Sequence, residues 1–236
     1  MKLYTITMVF FAIICIIYVY KNRKNMNWLA FNVAVWTNCF LAWMEFYKYK
    51  VWEFSPEQIL GVYIAGIAIE DIVFAPVLSI MFYAIWEFLD KRINYESSPI
   101  GKLISLIGLS LVTMFFYING GVFAHYLCVR MLIGIGCLIV CFKMWDLKLF
   151  WVMFIGCLIP TMLWEIWAGN TLPPQWAYIK GHPMLSNWGW FQIGRAWFNF
   201  EIFPWYYESG IGYVNGMCLL ITKFFPKKIR IKDVLR

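Results

Sequence analysis

Residues 52–74 read WEFSPEQILGVYIAGIAIEDIVF, and residues 164–215 repeat the same order of features. Each stretch begins at or just after the Trp and Glu that end a membrane-length apolar run, and then passes through an aromatic loop into another apolar run. In the first copy, Glu70 and Asp71 stand side by side where the new run opens. Adjacent carboxylates at the edge of a hydrocarbon-soluble bundle are costly, so they indicate a functional site. The repetition predicts a fold built from two related halves.

Apolar runs of membrane length recur through the rest of the chain. The 236 residues are 62% hydrophobic and 14% charged, against about 45–50% apolar and 25% charged in ordinary soluble domains. We interpret 1–236 as one transmembrane domain, an all-α polytopic bundle of about seven transmembrane helices with half-repeats at roughly 1–95 and 100–226. The predicted spans cover about 3–20, 28–46, 64–89, 103–119, 122–142, 149–167 and 208–225.

Lys and Arg are distributed unevenly between the two sides of this predicted bundle. Most of them fall in the connections after the first, third and fifth spans and in the tail 227–236. The positive-inside rule therefore predicts an outside N-terminus, a cytoplasmic C-terminus and a basic cytoplasmic tail. The net charge of +7 then follows from topology, so nucleic acid is excluded as a partner. Membrane lipid is a predicted partner, because the tail can contact anionic headgroups.

Polar side chains collect at one predicted level, the outer mouth of the bundle. Six carboxylates, one His and one Arg share this depth and predict a single polar pocket: Glu45, Glu70, Asp71, His125, Arg130, Glu165, Glu201 and Glu208. Because an unpaired Arg there is costly, Arg130 is expected to form hydrogen bonds with a carboxylate or with backbone carbonyls. Its role is either to contact a ligand or to hold helices together. For Glu45, Glu201 and Glu208 the alternative is that headgroup water solvates the carboxylates. For His125 the alternative is a hydrogen-bonded packing role.

Aromatic residues make up 21% of the chain. An interfacial belt explains many of them, since Trp and Tyr prefer the membrane surface. It explains less well the dense group in the second outer loop, which is expected to roof a pocket for a long apolar ligand. Electron-rich ring faces there could also stabilise a cation that lacks water or a counter-ion. This group comprises Trp188, Trp190, Trp197, Trp205, Tyr206 and Tyr207.

Several common site types have no signature in the sequence. The seven cysteines form no Cys-x-x-Cys pair, so neither a zinc site nor a disulfide framework is indicated. No Gly-x-Gly-x-x-Gly fingerprint follows a predicted strand, which argues against a flavin or nicotinamide fold. No Ser-His or Cys-His arrangement and no Asp-rich diphosphate motif stands out. We expect neither a metal nor a cofactor.

The repeated stretches resemble the membrane-integral lycopene cyclase domain family, in its fused two-half form. The residues that carry the resemblance are Trp52 to Gly61, then Gly66 to Phe74, and in the second half Trp164-Glu165, Trp176-Ala177-Tyr178, Pro204 and Asn215. Glu70 and Asp71 match the paired acids of the family motif, and Phe74 matches its aromatic residue. The second copy carries Tyr206 and Tyr207 where the motif has acids, which leaves open whether that half is catalytic.

The resemblance implies a carotenoid cyclase of a bacterial or archaeal cell membrane, an isomerase that closes a β-ionone ring on lycopene without redox chemistry. Glu70 is the expected general acid, with Asp71 as its orienting neighbour or the base. Glu165, Glu201 and Glu208 are expected to supply the opposite wall. Expected substrate contacts are Glu45, Trp52, Phe74, His125, Arg130, Trp164, Trp176, Tyr178, Tyr206, Tyr207 and Asn215.

Two other functions remain open at this stage. The same protonation chemistry could act on another membrane isoprenoid or a prenylated lipid, because the second half departs from the family motif. A non-enzymatic subunit that binds lipid or carotenoid would keep the bundle and the aromatic loops but would need no acid. A homo-oligomer and a partner biosynthetic enzyme are also left open.

Overall fold

Long apolar segments of this chain form helices, because in hydrocarbon each backbone N–H must find its acceptor within its own segment. The computed structural model describes residues 2–90, 98–201 and 205–225. Those residues contain seven helices: α1 (Leu3–Asn22), α2 (Trp28–Lys48), α3 (Ile69–Asp90), α4 (Pro99–Asn119), α5 (Val122–Val140), α6 (Leu147–Gly169) and α7 (Trp205–Phe224).

Five of the described helices are long and apolar enough to cross a membrane, as expected of a helical membrane protein. They are α1, α3, α4, α5 and α6. The two others carry more polar or aromatic residues; α2, for example, buries both Asn38 and Glu45. The prediction of an integral membrane protein is supported at this level, whereas the count of seven spans and the orientation stay predictions.

Short strands interrupt the connections between helices, a feature that the all-α prediction missed. Strands β1 (Trp52–Phe54) and β4 (Trp176–Tyr178) pair antiparallel, with Trp52 opposite Tyr178 and Phe54 opposite Trp176. Two hairpins complete the set within the described segments: β2 (Tyr63–Ile64) with β3 (Ile67–Ala68), and β5 (Trp190–Ile193) with β6 (Ala196–Asn199). The β1–β4 pair joins the two stretches that echo each other in the sequence.

The third helix begins later than the apolar run predicted. The run was expected to be helical from residue 64, but the β2–β3 hairpin occupies its first residues and α3 begins at Ile69. Ala65 and Gly66 turn the hairpin with φ values of 50° and 78°, in the left-handed region. This shift places Glu70 and Asp71 in the first turn of the helix, where carboxylates are favoured by the helix dipole.

The helices pack in two similar groups. Helix α3 packs against α1 and α2, and α7 packs in the same way against α5 and α6. In each group two helices are followed by a strand, a hairpin and a third helix, so α2 corresponds to α6 in the order of elements. Glu45 near the end of α2 is then the approximate equivalent of Glu165 near the end of α6. Helix α4 lies outside this correspondence. The two related halves, at roughly 1–95 and 100–226, stay a prediction.

Glycines allow α5 and α7 to approach closely. A Cβ atom added at Gly134 would lie 2.9 Å from the carbonyl oxygen of Gly212. One added at Gly216 would lie 2.9 Å from the Cβ of Cys137. Small residues at such crossings let backbones make van der Waals contact in a membrane. Gly212 and Gly216 are therefore residues that pack α7 against α5.

Polar side chains connect α2, α3 and α5 inside the bundle. Arg130 on α5 forms an ion pair of 2.9 Å with Glu45 on α2. Its guanidinium also donates to the Oδ1 of Asn38, whose amide nitrogen donates to Ser79 on α3 at 2.6 Å. Arg130 and Glu45 are both almost fully buried. The expected partner of Arg130 is thus a carboxylate, and the pair joins helices of both groups.

We expect Arg130→Met to lower the free energy of unfolding by about 3–5 kcal/mol, because it leaves the Glu45 carboxylate buried without its cation. Removing both charges, in Glu45→Leu with Arg130→Met, should recover most of that loss. Thermal unfolding in detergent micelles measures both effects. A double variant as unstable as Arg130→Met alone would contradict the pairing argument.

Candidate functional site

A cavity of about 40 Å³ lies where the β1–β4 pair meets the ends of α1, α2, α3 and α6. Four aromatic residues of the strands and side chains of these four helices converge on it. Two of its lining residues are carboxylic acids, and none is Lys, Arg or His. The full lining is Tyr4, Phe46, Trp52, Phe54, Asp71, Phe74, Trp164, Glu165, Trp176 and Tyr178.

Each acid in the cavity accepts hydrogen bonds from the aromatic wall. The Tyr4 hydroxyl donates to Asp71 Oδ1 at 3.2 Å, and the Trp52 indole donates to Asp71 Oδ2 at 3.4 Å. The Tyr178 hydroxyl lies 3.4 Å from Glu165 Oε2 and donates to that carboxylate. Both acids are buried, at 6% and 2% exposure. The aromatic donors fix the two carboxyl groups in place.

Stacked rings form the rest of the wall. The ring of Trp164 stacks on Phe74 at a centroid distance of 5.7 Å and on Tyr4 at 6.4 Å. The rings of Tyr4 and Phe54 stack at 5.3 Å. The buried indole nitrogen of Trp164 has no hydrogen-bond acceptor among the described residues. Faces of electron-rich rings turned toward one space can stabilise a positive charge within it.

An apolar groove lies beside the cavity along α1, α3 and α6. This tail groove, of about 200 Å³, shares Phe74 and Trp164 with the cavity and is otherwise lined by Met8, Phe11, Val77, Leu78, Met81, Pro160 and Thr161. Met81 is ten residues beyond Asp71 on α3, so the two spaces together extend roughly 15 Å along that helix. The site therefore combines an acidic end with a longer apolar end.

Glu70 does not line the cavity. Its Oε1 accepts a hydrogen bond from the Thr5 hydroxyl at 2.6 Å and another from the Leu60 backbone nitrogen at 2.7 Å. Asp71 follows it by one residue, about 100° around the helix, and shares the cavity face with Phe74 instead. Glu70 and Phe74 are four residues apart and could share a helix face, but the spacing of three between Asp71 and Phe74 serves equally well. In the structure, the hydrogen bonds of Glu70 connect α3 to α1 and to the loop before β2.

The predicted single polar pocket is divided in the structure. Arg130 and Glu45 pair with each other between α2 and α5 and are absent from the cavity lining. Glu201 lies at the start of α5, where its Oε2 accepts a hydrogen bond from the Gly121 nitrogen at 3.0 Å. His125 packs its ring against Tyr117 with centroids 4.8 Å apart. These four residues therefore occupy two places outside the cavity.

Other predicted contacts fall elsewhere or outside the described side chains. Asn215 is buried in α7, and its amide atoms have no hydrogen-bond partner within the described residues. Trp188 packs on Phe115 and Phe116 of α4 and does not roof the cavity. Trp190 and Trp197 belong to the β5–β6 hairpin and are likewise absent from the cavity lining. The backbone of Trp205, Tyr206, Tyr207 and Glu208 begins α7, but their side chains lie outside the described part of the structure.

Three lining residues were missed from the sequence: Tyr4, Phe46 and Phe54. Phe54 is two residues after Trp52, so the strand period of two would have placed both on one face had a strand been expected. Phe46 directly follows Glu45 at the end of α2, and Tyr4 opens α1. No local sequence pattern marks Phe46 or Tyr4 as a lining residue, because only the packing of helices distant in sequence brings these side chains to the cavity.

Burial raises the pKa of Glu201 above its ordinary value, and the hydrogen bond from Gly121 opposes this effect only in part. An acid whose pKa is raised on folding stabilises the fold below its ordinary value and loses that contribution as the pH rises. Thermal stability of the wild type should therefore fall relative to Glu201→Gln as the pH rises above 4.5, the ordinary glutamate value. Glu53→Gln, at an exposed strand position, is the matched control. Parallel pH profiles for wild type and Glu201→Gln would contradict the argument.

Among the described residues, no three His, Cys, Asp or Glu side chains gather closely enough to share a metal ion.

Comparison with known protein families, with curated proteins and with solved structures found no match to this chain. The resemblance to the lycopene cyclase domain therefore stays a prediction carried by the residues quoted for it, and the function is argued from the cavity.

Proposed function

We propose that this chain is a membrane enzyme that cyclises an isoprenoid polyene, of which lycopene is the first candidate, by acid-initiated chemistry. The observation that supports this most is the cavity itself: Asp71 and Glu165 face one aromatic-walled space that lies beside an apolar groove and shares Phe74 and Trp164 with it. The polyene end would enter the acidic cavity as its walls move apart, and the remainder of its chain would follow the tail groove. The choice of lycopene rests on the family resemblance.

The proposed reaction needs one acid, one base and a dry, electron-rich wall. A carboxyl group of the Asp71 and Glu165 pair protonates a terminal alkene and leaves a tertiary carbocation. A neighbouring double bond attacks that cation and closes the ring, and the other carboxylate removes a proton from the ring. One proton enters and one leaves, so the product is an isomer and no oxidant or reductant is consumed.

The aromatic wall has a defined part in this scheme. The ring faces of Phe74, Trp164 and Trp176 are placed to stabilise the cation between its formation and its loss of a proton. Exclusion of water from a buried cavity also prevents capture of the cation as an alcohol. Tyr4, Trp52 and Tyr178 hold the carboxylates at the wall through the hydrogen bonds described above.

The proposal includes a topology in the membrane. We infer that all seven helices cross the bilayer, with the N-terminus outside and the basic C-terminal tail in the cytoplasm of a bacterial or archaeal cell. Helices α2 and α7 would be the polar-bearing spans, shielded by the helices packed around them. The cavity then lies toward the outer surface, and the tail groove extends toward the middle of the bilayer.

The first test is pigment analysis in bacteria that accumulate lycopene and express this chain. We expect conversion to a cyclic carotene by the wild type, and at least a hundredfold less by Asp71→Asn or Glu165→Gln, in line with about 10²–10⁴ for a lost acid or base. Glu70→Gln should retain most of the activity, because its side chain is outside the cavity and the amide oxygen can still accept from Thr5. Immunoblots of the membrane fraction control for expression.

The outcomes separate the alternatives. Loss of activity in Glu70→Gln with activity kept in Asp71→Asn would restore Glu70 as the acid. Unchanged lycopene with wild-type protein in the membrane would reject lycopene as substrate. The same variants, tested against other isoprenoids and prenylated lipids, would then distinguish an enzyme that needs the two acids from a binding subunit that does not.

A further inference from the structure

A second groove lies between α1 and α2 and over α3, and shares Val77 of α3 with the tail groove. It has a volume of about 710 Å³ and is apolar along most of its length. It extends from Trp43 and Ile72 near one end of the bundle to Arg23 and Trp28 near the other. Because α2 rises about 1.5 Å per residue, the fifteen residues from Trp28 to Trp43 cover roughly 22 Å. We refer to this space as the α1–α2 groove.

Three tryptophans of α2 line the α1–α2 groove at intervals of about two helical turns. The Trp28 indole donates to the Arg23 carbonyl at 2.7 Å, the Trp36 indole to Asn32 at 3.2 Å, and the Trp43 indole to the Ile72 carbonyl at 3.2 Å. All three N–H groups are thus bonded to the protein itself. The rings present only carbon to an occupant, which must therefore be a hydrocarbon chain along most of the groove.

Arg23 supplies a cation at one end of the groove. Its guanidinium donates to the Tyr20 carbonyl and lies 3.8 Å above the ring of Tyr20, so the protein holds it in place. It is half-buried, and no carboxylate of the described residues forms an ion pair with it. A fixed guanidinium that forms no ion pair with a carboxylate among the described residues is suited to bidentate recognition of a phosphate.

We propose that the α1–α2 groove is a specific site for an anionic phospholipid, with one acyl chain against the tryptophans and the phosphate on Arg23. The charge at one end and the carbon lining of the rest match the two parts of such a lipid. Arg23 follows α1 in a basic segment with Lys21 and Lys24, which would concentrate anionic lipid at that surface. The site is separate from the acidic cavity and does not depend on the proposed reaction.

The test compares two lipids that share acyl chains and differ in headgroup charge. In native mass spectrometry of the purified protein, the first dioleoylphosphatidylglycerol should bind about tenfold more tightly than dioleoylphosphatidylcholine, because the choline cation of the latter offsets the phosphate charge that Arg23 would contact. Arg23→Gln should abolish that preference. Lys24→Gln, which removes an exposed neighbouring charge, should preserve it. Equal binding of the two lipids, or an unchanged preference in Arg23→Gln, would overturn the proposal.

Cross-linking in the cell membrane identifies the occupant directly. With Trp36 replaced by benzoylphenylalanine, irradiation should yield protein whose mass increases by one phosphatidylglycerol. A cross-link to a second copy of this chain or to another polypeptide would show that a protein helix fills the groove, and would overturn the lipid proposal. Adducts with zwitterionic lipid alone would overturn its headgroup specificity.

Discussion

The ion pair between Arg130 and Glu45 is the constraint on which the arrangement of the helices depends. Inside a hydrocarbon-soluble bundle neither charge can exist alone at acceptable cost, so α5 and α2 must meet at this height and in this rotation. Asn38 and Ser79 extend the constraint to α3. The position of α3 in turn sets the position of Asp71, so a polar contact remote from the cavity helps to define its geometry.

The β1–β4 pair provides the second constraint. It holds the aromatic residues of two distant stretches in register, with Trp52 opposite Tyr178 and Phe54 opposite Trp176. All four line the cavity. Of the two acids in the cavity, Asp71 comes from one helix group and Glu165 from the other. The candidate site is therefore a property of the interface between the two groups, and neither could form it alone.

Most of the helical framework could be predicted, because a long apolar run in this composition has few alternatives to a helix. The beginning of α3 could not, since the hairpin of residues 63–68 is built from apolar residues that also suit a membrane span. The cavity lining was predictable in part from the family motif, which gave Trp52, Asp71, Phe74, Trp164, Glu165, Trp176 and Tyr178. The choice between Glu70 and Asp71 was not, because it depends on the rotation of α3, which is set by packing against α1 and α2.

Phe74 and Trp164 belong to both the cavity and the tail groove, so their rings stand at the junction between the two spaces. A linear chain is thin enough to slide past them end-on. A chain whose end has closed into a ring is wider at its tip than along its stem, and can withdraw only if these rings move apart. Under the proposed reaction, Phe74 and Trp164 would therefore take part in product release as well as forming the cavity wall.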